Sequence, residues 1–255
     1  MSETTAEKII NYREVAKVYR KSHLGRVREI WGLRGLSLEV RKGEIFGLLG
    51  LNGAGKTTAM KLLTGLLFPT SGQVSLSGFD PSSAEGKRRT GFLPELPYFY
   101  SYLTPAEALA FYGRLSGMEP TIMKARIPAV LERVGLVKHA GKKAAEFSKG
   151  MLQRLGLAQA VLHNPDILVL DEPVSGLDPL AIHDMRRVIS GLNRDGKTVF
   201  LSSHSISELE KICDRVAILR DGRAVRLVSQ QEWHETEGGL EKIFVETVRE
   251  EEGIR

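Results

Sequence analysis

Two stretches of the sequence have the residue types and spacing to do chemistry on a phosphate ester. The first is Gly50-Leu51-Asn52-Gly53-Ala54-Gly55-Lys56-Thr57-Thr58, which fits the phosphate-binding pattern G-x-x-x-x-G-K-[ST] at every fixed position. Glycines let successive backbone N–H groups converge on an anion without Cβ clashes. Lys56 adds a full charge for the outer phosphates, and the Thr57 hydroxyl suits Mg²⁺ as a hard ligand. The second stretch is Asp171-Glu172, two carboxylates that close the apolar run Ile167-Leu168-Val169-Leu170. Asp171 can hold Mg²⁺ directly or through water. Glu172, one residue further on, can polarise a water in line with the γ-phosphate as a general base. Binding by the first stretch and hydrolysis by the second point to a nucleoside triphosphatase.

Both stretches need strands and helices to aim them. Glu44 to Leu49 is an apolar run of buried-strand length, and Thr58 to Leu67 is an amphipathic run of helix length. That helix would point its positive N-terminal end at the bound anion. Ile167 to Leu170 reads as a strand buried on both faces of a parallel sheet, and Thr198 to Leu201 as the next. Ligands of such sheets sit beyond the carboxyl ends of the strands, where Asp171 would emerge.

The flanking segments are less regular. Ile9 to Tyr19 reads as a strand or strand pair, Lys21 to Arg34 as a loop insertion, and Leu36 to Val40 as a strand. Val74 to Leu76 and Gly91 to Leu93 are short strands, the latter stopped by Pro94. Pro105 to Leu115 reads as a helix with Thr104 as N-cap, Ala125 to Val134 as a second, and Met151 to Leu162 as a third. Ile182, Met185, Ile189 and Leu192 recur at helical spacing and should face a core. Ser205 to Glu208 has capping-box spacing, and Asp221-Gly222 between two apolar runs signals a hairpin. The tail from Gln230 to Arg255 reads as a helix or an appendage. The expected fold is α/β: a nucleotide-binding core with a mainly parallel sheet, an N-terminal antiparallel β subdomain, and an α-helical insertion at about residues 96–160. The expected domains are 1–229 and an appendage at 230–255.

A chain of 255 residues with 42% hydrophobic content can bury a core without staples. One cysteine, Cys213, excludes an intrachain disulfide and a zinc cluster. Met1 to Glu7 lacks the layout of a signal peptide, and no run of about eighteen apolar residues occurs. The net charge of +5 is mild, but Arg13, Lys17, Arg20, Lys21, Arg26, Arg28 and Arg34 face only Glu14 and Glu29. That excess suits polyphosphate, anionic lipid or nucleic acid, or simply a solvated loop, and the sequence leaves these open.

With the Asp-Glu pair in place, nearly the whole chain resembles the ATP-binding cassette family. Phe147-Ser148-Lys149-Gly150-Met151, followed by Gln153-Arg154, resembles that family's signature, most often Leu-Ser-Gly-Gly-Gln. Ser175-Gly176-Leu177-Asp178 resembles its D-loop, His204 its switch histidine, and Tyr19 the aromatic that stacks on adenine. The resemblance implies that Ser148 and Gly150 meet the γ-phosphate of ATP held by a second copy. Asp178 would lie at the seam between copies, and His204 would orient the attacking water. Two departures stand out. Phe147, Lys149 and Met151 stand where the signature commonly has Leu, Gly and Gln, while Ser148 and Gly150 are kept. Glu95 stands where the family usually has Gln, so it joins Thr57 and Asp171 as a candidate Mg²⁺ ligand. Both departures resemble the single-cassette branch that serves a separate membrane subunit, frequently an exporter.

The resemblance implies an ATPase using ATP and Mg²⁺, closing as a homodimer, or as a heterodimer with a related ATPase. Its partner would be an integral membrane permease that seats it on the cytoplasmic face of the cell membrane. The helical insertion would carry the motion, with Tyr98, Phe99, Tyr100 and Tyr102 as contacts. No nucleic-acid partner is expected. The alternative is a soluble mechanical ATPase of the same family acting on DNA or ribosomes. Such proteins tend to pair cassettes or carry coiled coils, which this sequence lacks. An Asn-Lys-x-Asp motif for guanine is also absent.

Overall fold

The computed structural model describes residues 7–23 and 26–252. The signal-peptide question at Met1 to Glu7 thus concerns residues that, Glu7 aside, lie outside those described. In chain order the elements are β1 (Lys8–His23), β2 (Arg26–Arg41), β3 (Ile45–Leu49), α1 (Lys56–Leu63), β4 (Ser71–Leu76) and α2 (Ala84–Arg89). Next come β5 (Thr90–Leu93), α3 (Pro105–Leu115), α4 (Pro120–Arg133), α5 (Lys149–Val161), β6 (Ile167–Leu170) and α6 (Pro179–Arg194). Last are β7 (Thr198–Ser203), α7 (Ile206–Ile212), β8 (Arg215–Arg220), β9 (Arg223–Ser229), α8 (Gln230–Glu235) and α9 (Gly239–Glu252). The chain divides into two units, one of Met1–Lys87 with Phe200–Arg255 and one of Arg88–Val199.

In the first unit β1 pairs antiparallel with β2 and with β4, giving the N-terminal antiparallel sheet the sequence predicts. β3 pairs parallel with β8, and β8 antiparallel with β9. Every residue of β3 and β7 is buried, as strands with both faces covered must be. Tyr12, Phe46 and Phe200 stack between these elements, with ring centroids 6.2 Å and 5.9 Å apart. The Tyr12 hydroxyl donates to Ala59 O on α1 at 2.9 Å. Burial pushes its phenol well above the ordinary value.

In the second unit β5 pairs parallel with β6. Gly91 and Gly156 bring β5 against α5: a Cβ on Gly91 would strike Ala160 O, and one on Gly156 would lie 2.6 Å from Leu93 Cδ1. Between β5 and β6 run α3, α4 and α5, the predicted helical insertion. Thr104 caps α3 in a full capping box with Glu107, with proline at the first turn. The α5 end is closed by Arg126, which donates to Val161 O and Leu162 O at 2.8 Å and 3.1 Å.

Several expectations need correcting. Lys21 to His23 and Arg26 to Arg34 are no loop insertion but the facing arms of β1 and β2, in the register Tyr19↔Ile30 and Arg20↔Glu29; residues 24 and 25 of that expectation lie outside those described. Its polar composition hid the strand, because cross-strand pairs such as Arg20–Glu29 at 3.1 Å support an exposed ribbon without apolar alternation. Helix α1 starts at Lys56 and stops at Leu63, where the Thr64 hydroxyl takes Met60 O and Gly65 turns left-handed at φ 68°. Helix α4 starts earlier than expected and contains Pro128. On α6, Ala181 rather than Ile182 joins Met185, Ile189 and Leu192 in the core. The Ser205–Glu208 capping box does not form: Ser205 Oγ meets Ser207 Oγ instead, and Glu208 N–H reaches the Ser205 carbonyl. The tail, by contrast, is helical, one of the two readings its sequence left open: it forms α8 and α9 within the first unit, with Trp233, Leu240 and Ile243 buried.

Candidate functional site

The phosphate loop lies between β3 and α1, as its glycines require. Gly53 and Gly55 hold φ of 85° and 108°, angles a side chain would strain. Gly55 caps α1 with no side chain bonded there, and the first turn holds no acidic residue. Helix α1 thus begins at the loop, and the positive end of a helix is the kind of place that draws an anion. Lys56 is 8% exposed and arches back, with Nζ donating to Gly50 O at 2.6 Å and to Leu51 O at 3.4 Å. The loop thus holds its own cation over the place where phosphates would lie. Leu51, Asn52, Gly53 and Thr57 are exposed, Ala54 is buried, and Thr58 is half-buried.

The loop rests on a seat that the sequence did not reveal. Asp221 and Gly222 are both left-handed, at φ 48° and 79°, and make the tight β8–β9 turn. Gly222 N–H donates to Ala54 O at 3.0 Å, and Arg34 N–H to Gly222 O at 2.8 Å. A Cβ on Gly55 would lie 2.6 Å from Gly32 O and 3.3 Å from Gly222 Cα. Three backbones meet here because none carries a side chain. Asp221-Gly222 was legible as a turn, but its contact with the loop was not.

Tyr19 joins the loop directly. Its hydroxyl lies 3.2 Å from Thr58 Oγ1, and the Lys17 ammonium sits 5.7 Å from the ring centroid. His204 is exposed between β7 and α7, in the same unit.

The remaining candidates belong to the second unit. Asp171 is 7% exposed at the end of β6, and its N–H donates to Leu93 O at 2.8 Å. That bond extends the β5–β6 pairing and places exposed Glu95 just beyond the neighbouring strand end. Glu172 is half-buried and left-handed at φ 49°. A non-glycine there carries about 1–3 kcal/mol of strain, of the kind that concentrates at functional sites. Nothing in the sequence signals it.

Ser148 and Asp178 are both helix caps. Ser148 Oγ accepts Met151 N–H at 3.3 Å at the start of α5, and Asp178 Oδ1 accepts Ala181 N–H at 2.9 Å at the start of α6. The two starts touch: a Cβ on Gly150 would lie 3.3 Å from Ala181 Cβ, and Lys149 Nζ lies against Gly176. Arg154 and Asp184 pair at 2.8 Å and tie the helices further along. The structure therefore groups Ser148, Gly150 and Asp178, and separately Asp171, Glu172 and Glu95, within one unit. The other unit gathers the phosphate loop and Tyr19 and carries His204.

Each unit offers hard oxygens of the kind Mg²⁺ takes: Thr57 in the first, Asp171 and Glu95 in the second. Among the described residues no three His, Cys, Asp or Glu side chains cluster to hold an ion alone.

A family model described as "ABC transporter" matches residues 33–175, and one described as an AAA domain, putative AbiEii toxin, matches 142–210. An uncharacterized ABC transporter ATP-binding protein of Nostoc sp. is 46% identical over 219 residues, 85% of this chain and 65% of its own length. The bacitracin transport ATP-binding protein BcrA of Bacillus licheniformis is 45% identical over 74% of this chain and 61% of its own. The Nod factor export ATP-binding protein I of Burkholderia thailandensis is 41% identical over 83% of this chain and 70% of its own. The chain thus spans somewhat less than two thirds of the Nostoc protein and of BcrA. Among solved structures, an ATP-binding subunit of an ABC transporter matches at TM-score 0.79 and 28% identity, covering 94% of this chain and 99% of that one. The dimeric bacterial cassette MJ0796 matches at TM-score 0.77 and 25% identity, covering 87% of this chain and 99% of that one.

Proposed function

The chain belongs to the ABC transporter family, and we propose that it binds and hydrolyses ATP as the energy-supplying subunit of an exporter. Two copies close head to tail around two ATP molecules and drive a separate membrane permease. The observation that carries the reading is Glu172, held in left-handed backbone directly after a buried Asp171 at the end of a buried strand. Strain of that kind persists where a side chain must be aimed.

The roles follow from the chemistry of each group. Loop N–H groups from Gly50 to Thr58 and the Lys56 ammonium bind the phosphates. The Tyr19 ring takes the adenine face. Thr57, Asp171 and Glu95 would hold Mg²⁺, which would supply positive charge to the phosphates. The water oxygen attacks the γ-phosphorus, ADP leaves, and Glu172 takes the proton that the water loses. His204 orients that water. Ser148 and Gly150 reach the γ-phosphate bound to the other copy, and Asp178 lies at the seam. The tail from Gln230 is an appendage to the cassette.

The export reading leans on relatives whose names include bacitracin transport and Nod factor export. Among the described residues no helix is long and apolar enough to cross a membrane. The transport path is assigned to a separate permease. Its docking surface is the helical insertion, where Tyr98 and Tyr102 are 76% and 64% exposed. Tyr100 and Phe111 line a groove there, with ring centroids 5.5 Å apart. The working place is the cytoplasmic face of the membrane.

Phosphate release from ATP by the purified chain tests the reading. Glu172→Gln should keep ATP binding and slow turnover by at least ~100-fold, the low end for a lost general base. Wild-type turnover in that variant would remove Glu172 from its role.

A further inference from the structure

The C-terminal helix α9 has no part in the chemistry above, yet it is fastened to the seat of the phosphate loop. Arg220, the last residue of β8, donates from Nη1 to Val248 O near the end of α9 at 2.6 Å. Its Nε lies 3.6 Å from Asp221 Oδ2. A guanidinium on a carbonyl one turn from the helix's end complements the negative pole there. At the other end of α9, Glu210 on α7 accepts Leu240 N–H at 2.6 Å. Between these ties, Leu240 is 0% and Ile243 2% exposed, so the helix is seated rather than draped.

Arg220 adjoins the residues that carry the loop. Leu219 O would meet a Cβ on Gly50 at 2.5 Å, so the loop's first residue lies on the end of β8. Two residues after Arg220, Gly222 N–H holds Ala54 O. The first residue and the middle of the loop therefore rest on residues 219–222, the segment that Arg220 ties to α9. All of these contacts lie within the first unit.

We propose that Arg220 is a positioning residue for the phosphate loop, and that α9 sets the affinity for nucleotide through it. The proposal rests on the reading of the loop as an ATP site. Loosening α9 lets the β8–β9 turn shift, and the N–H groups of the loop then meet the phosphates less well. Nucleotide affinity falls, while the chemical step at Glu172 is untouched.

Fluorescence titration of the full chain with Mg·ATP, alongside turnover and thermal melting, tests this. Arg220→Met should raise Kd and KM about tenfold, the effect of losing one charge-assisted hydrogen bond, with kcat changed less than about twofold. Arg220→Lys, which keeps a cation able to reach Val248 O, should restore most of the affinity. Glu210→Ala, which loosens the start of α9 without touching the β8–β9 turn, should weaken binding in the same direction. The proposal is overturned if Arg220→Met lowers Tm but leaves Kd at the parent value, or if Glu210→Ala leaves Kd unmoved. Failure of the parent chain itself to bind ATP would instead remove the reading of the loop.

Discussion

Gly32→Ala isolates the contribution of Tyr19. Gly32 does not need a left-handed backbone, so alanine fits its main chain and only the added Cβ acts. That Cβ would lie 2.7 Å from Tyr19 Cε2 and 3.0 Å from Thr58 Oγ1. Carbon atoms pack at about 3.5–4.0 Å, so the ring must retreat by roughly 1 Å. The Tyr19–Thr58 hydroxyl contact, 3.2 Å long, then opens beyond hydrogen-bonding reach. Stacking of a base on an aromatic ring is worth ~1–3 kcal/mol, and a displaced ring forfeits part of it. A loss of about 1 kcal/mol corresponds to about fivefold in Kd. The assay is competition binding with ATP and, in parallel, with inorganic triphosphate, which has no base. ATP should weaken about fivefold while triphosphate holds its affinity, and Tyr19→Ala should give the larger loss. Equal weakening of both ligands would mean that the loop, not the ring, was disturbed. Unchanged ATP affinity would refute stacking on Tyr19.

Three further outcomes follow from individual side chains. Lys56→Ala should weaken ATP binding itself, measured by titration, because Lys56 is the one full charge held within the loop; unchanged affinity counts against the phosphate-loop assignment. Cys213 is fully buried, and burial together with the charges of Asp214 and Glu44 pushes its thiol well up, so a disulfide reagent at pH 8 should not modify the native chain until denaturant is added. His163 is held below its ordinary 6.5, chiefly by burial, although Thr90 O, the acceptor 3.2 Å from its Nε2, pulls the other way. Below that pH the unfolded chain takes up a proton that the folded one resists, so this stability is present above about 6.5 and lost on acidification. The urea midpoint of His163→Gln should fall less between pH 7 and pH 5 than that of the parent; an equal fall removes His163 as a contributor.

What depends on local residue type was legible in the sequence. Glycines, lysine and threonine at fixed spacing predict a turn from a strand into a helix, and the chain makes it between β3 and α1. Thr104 with Glu107, and Asp221 with Gly222, announce a cap and a turn because each feature is made by neighbours in the chain. What stayed hidden is made by residues far apart in sequence. The loop's seat on Gly222 joins positions more than 160 residues apart, and no spacing encodes it. The left-handed angle of Glu172 is imposed by surroundings rather than by its own preference. The arms of the β1–β2 hairpin escaped notice because charged cross-strand pairs, not apolar alternation, hold an exposed ribbon together. Ser205 looked like a capping residue, but its hydroxyl found Ser207 first.

Closure of two copies on ATP is tested most directly by the mass of the Glu172→Gln chain in solution, measured by light scattering with and without Mg·ATP. The chain alone weighs 28.2 kDa. Saturating ATP should double that mass, ADP should not, and Ser148→Arg in the same background should abolish the doubling while leaving ATP bound. A monomer that remains monomeric with ATP fully bound would contradict the two-copy site.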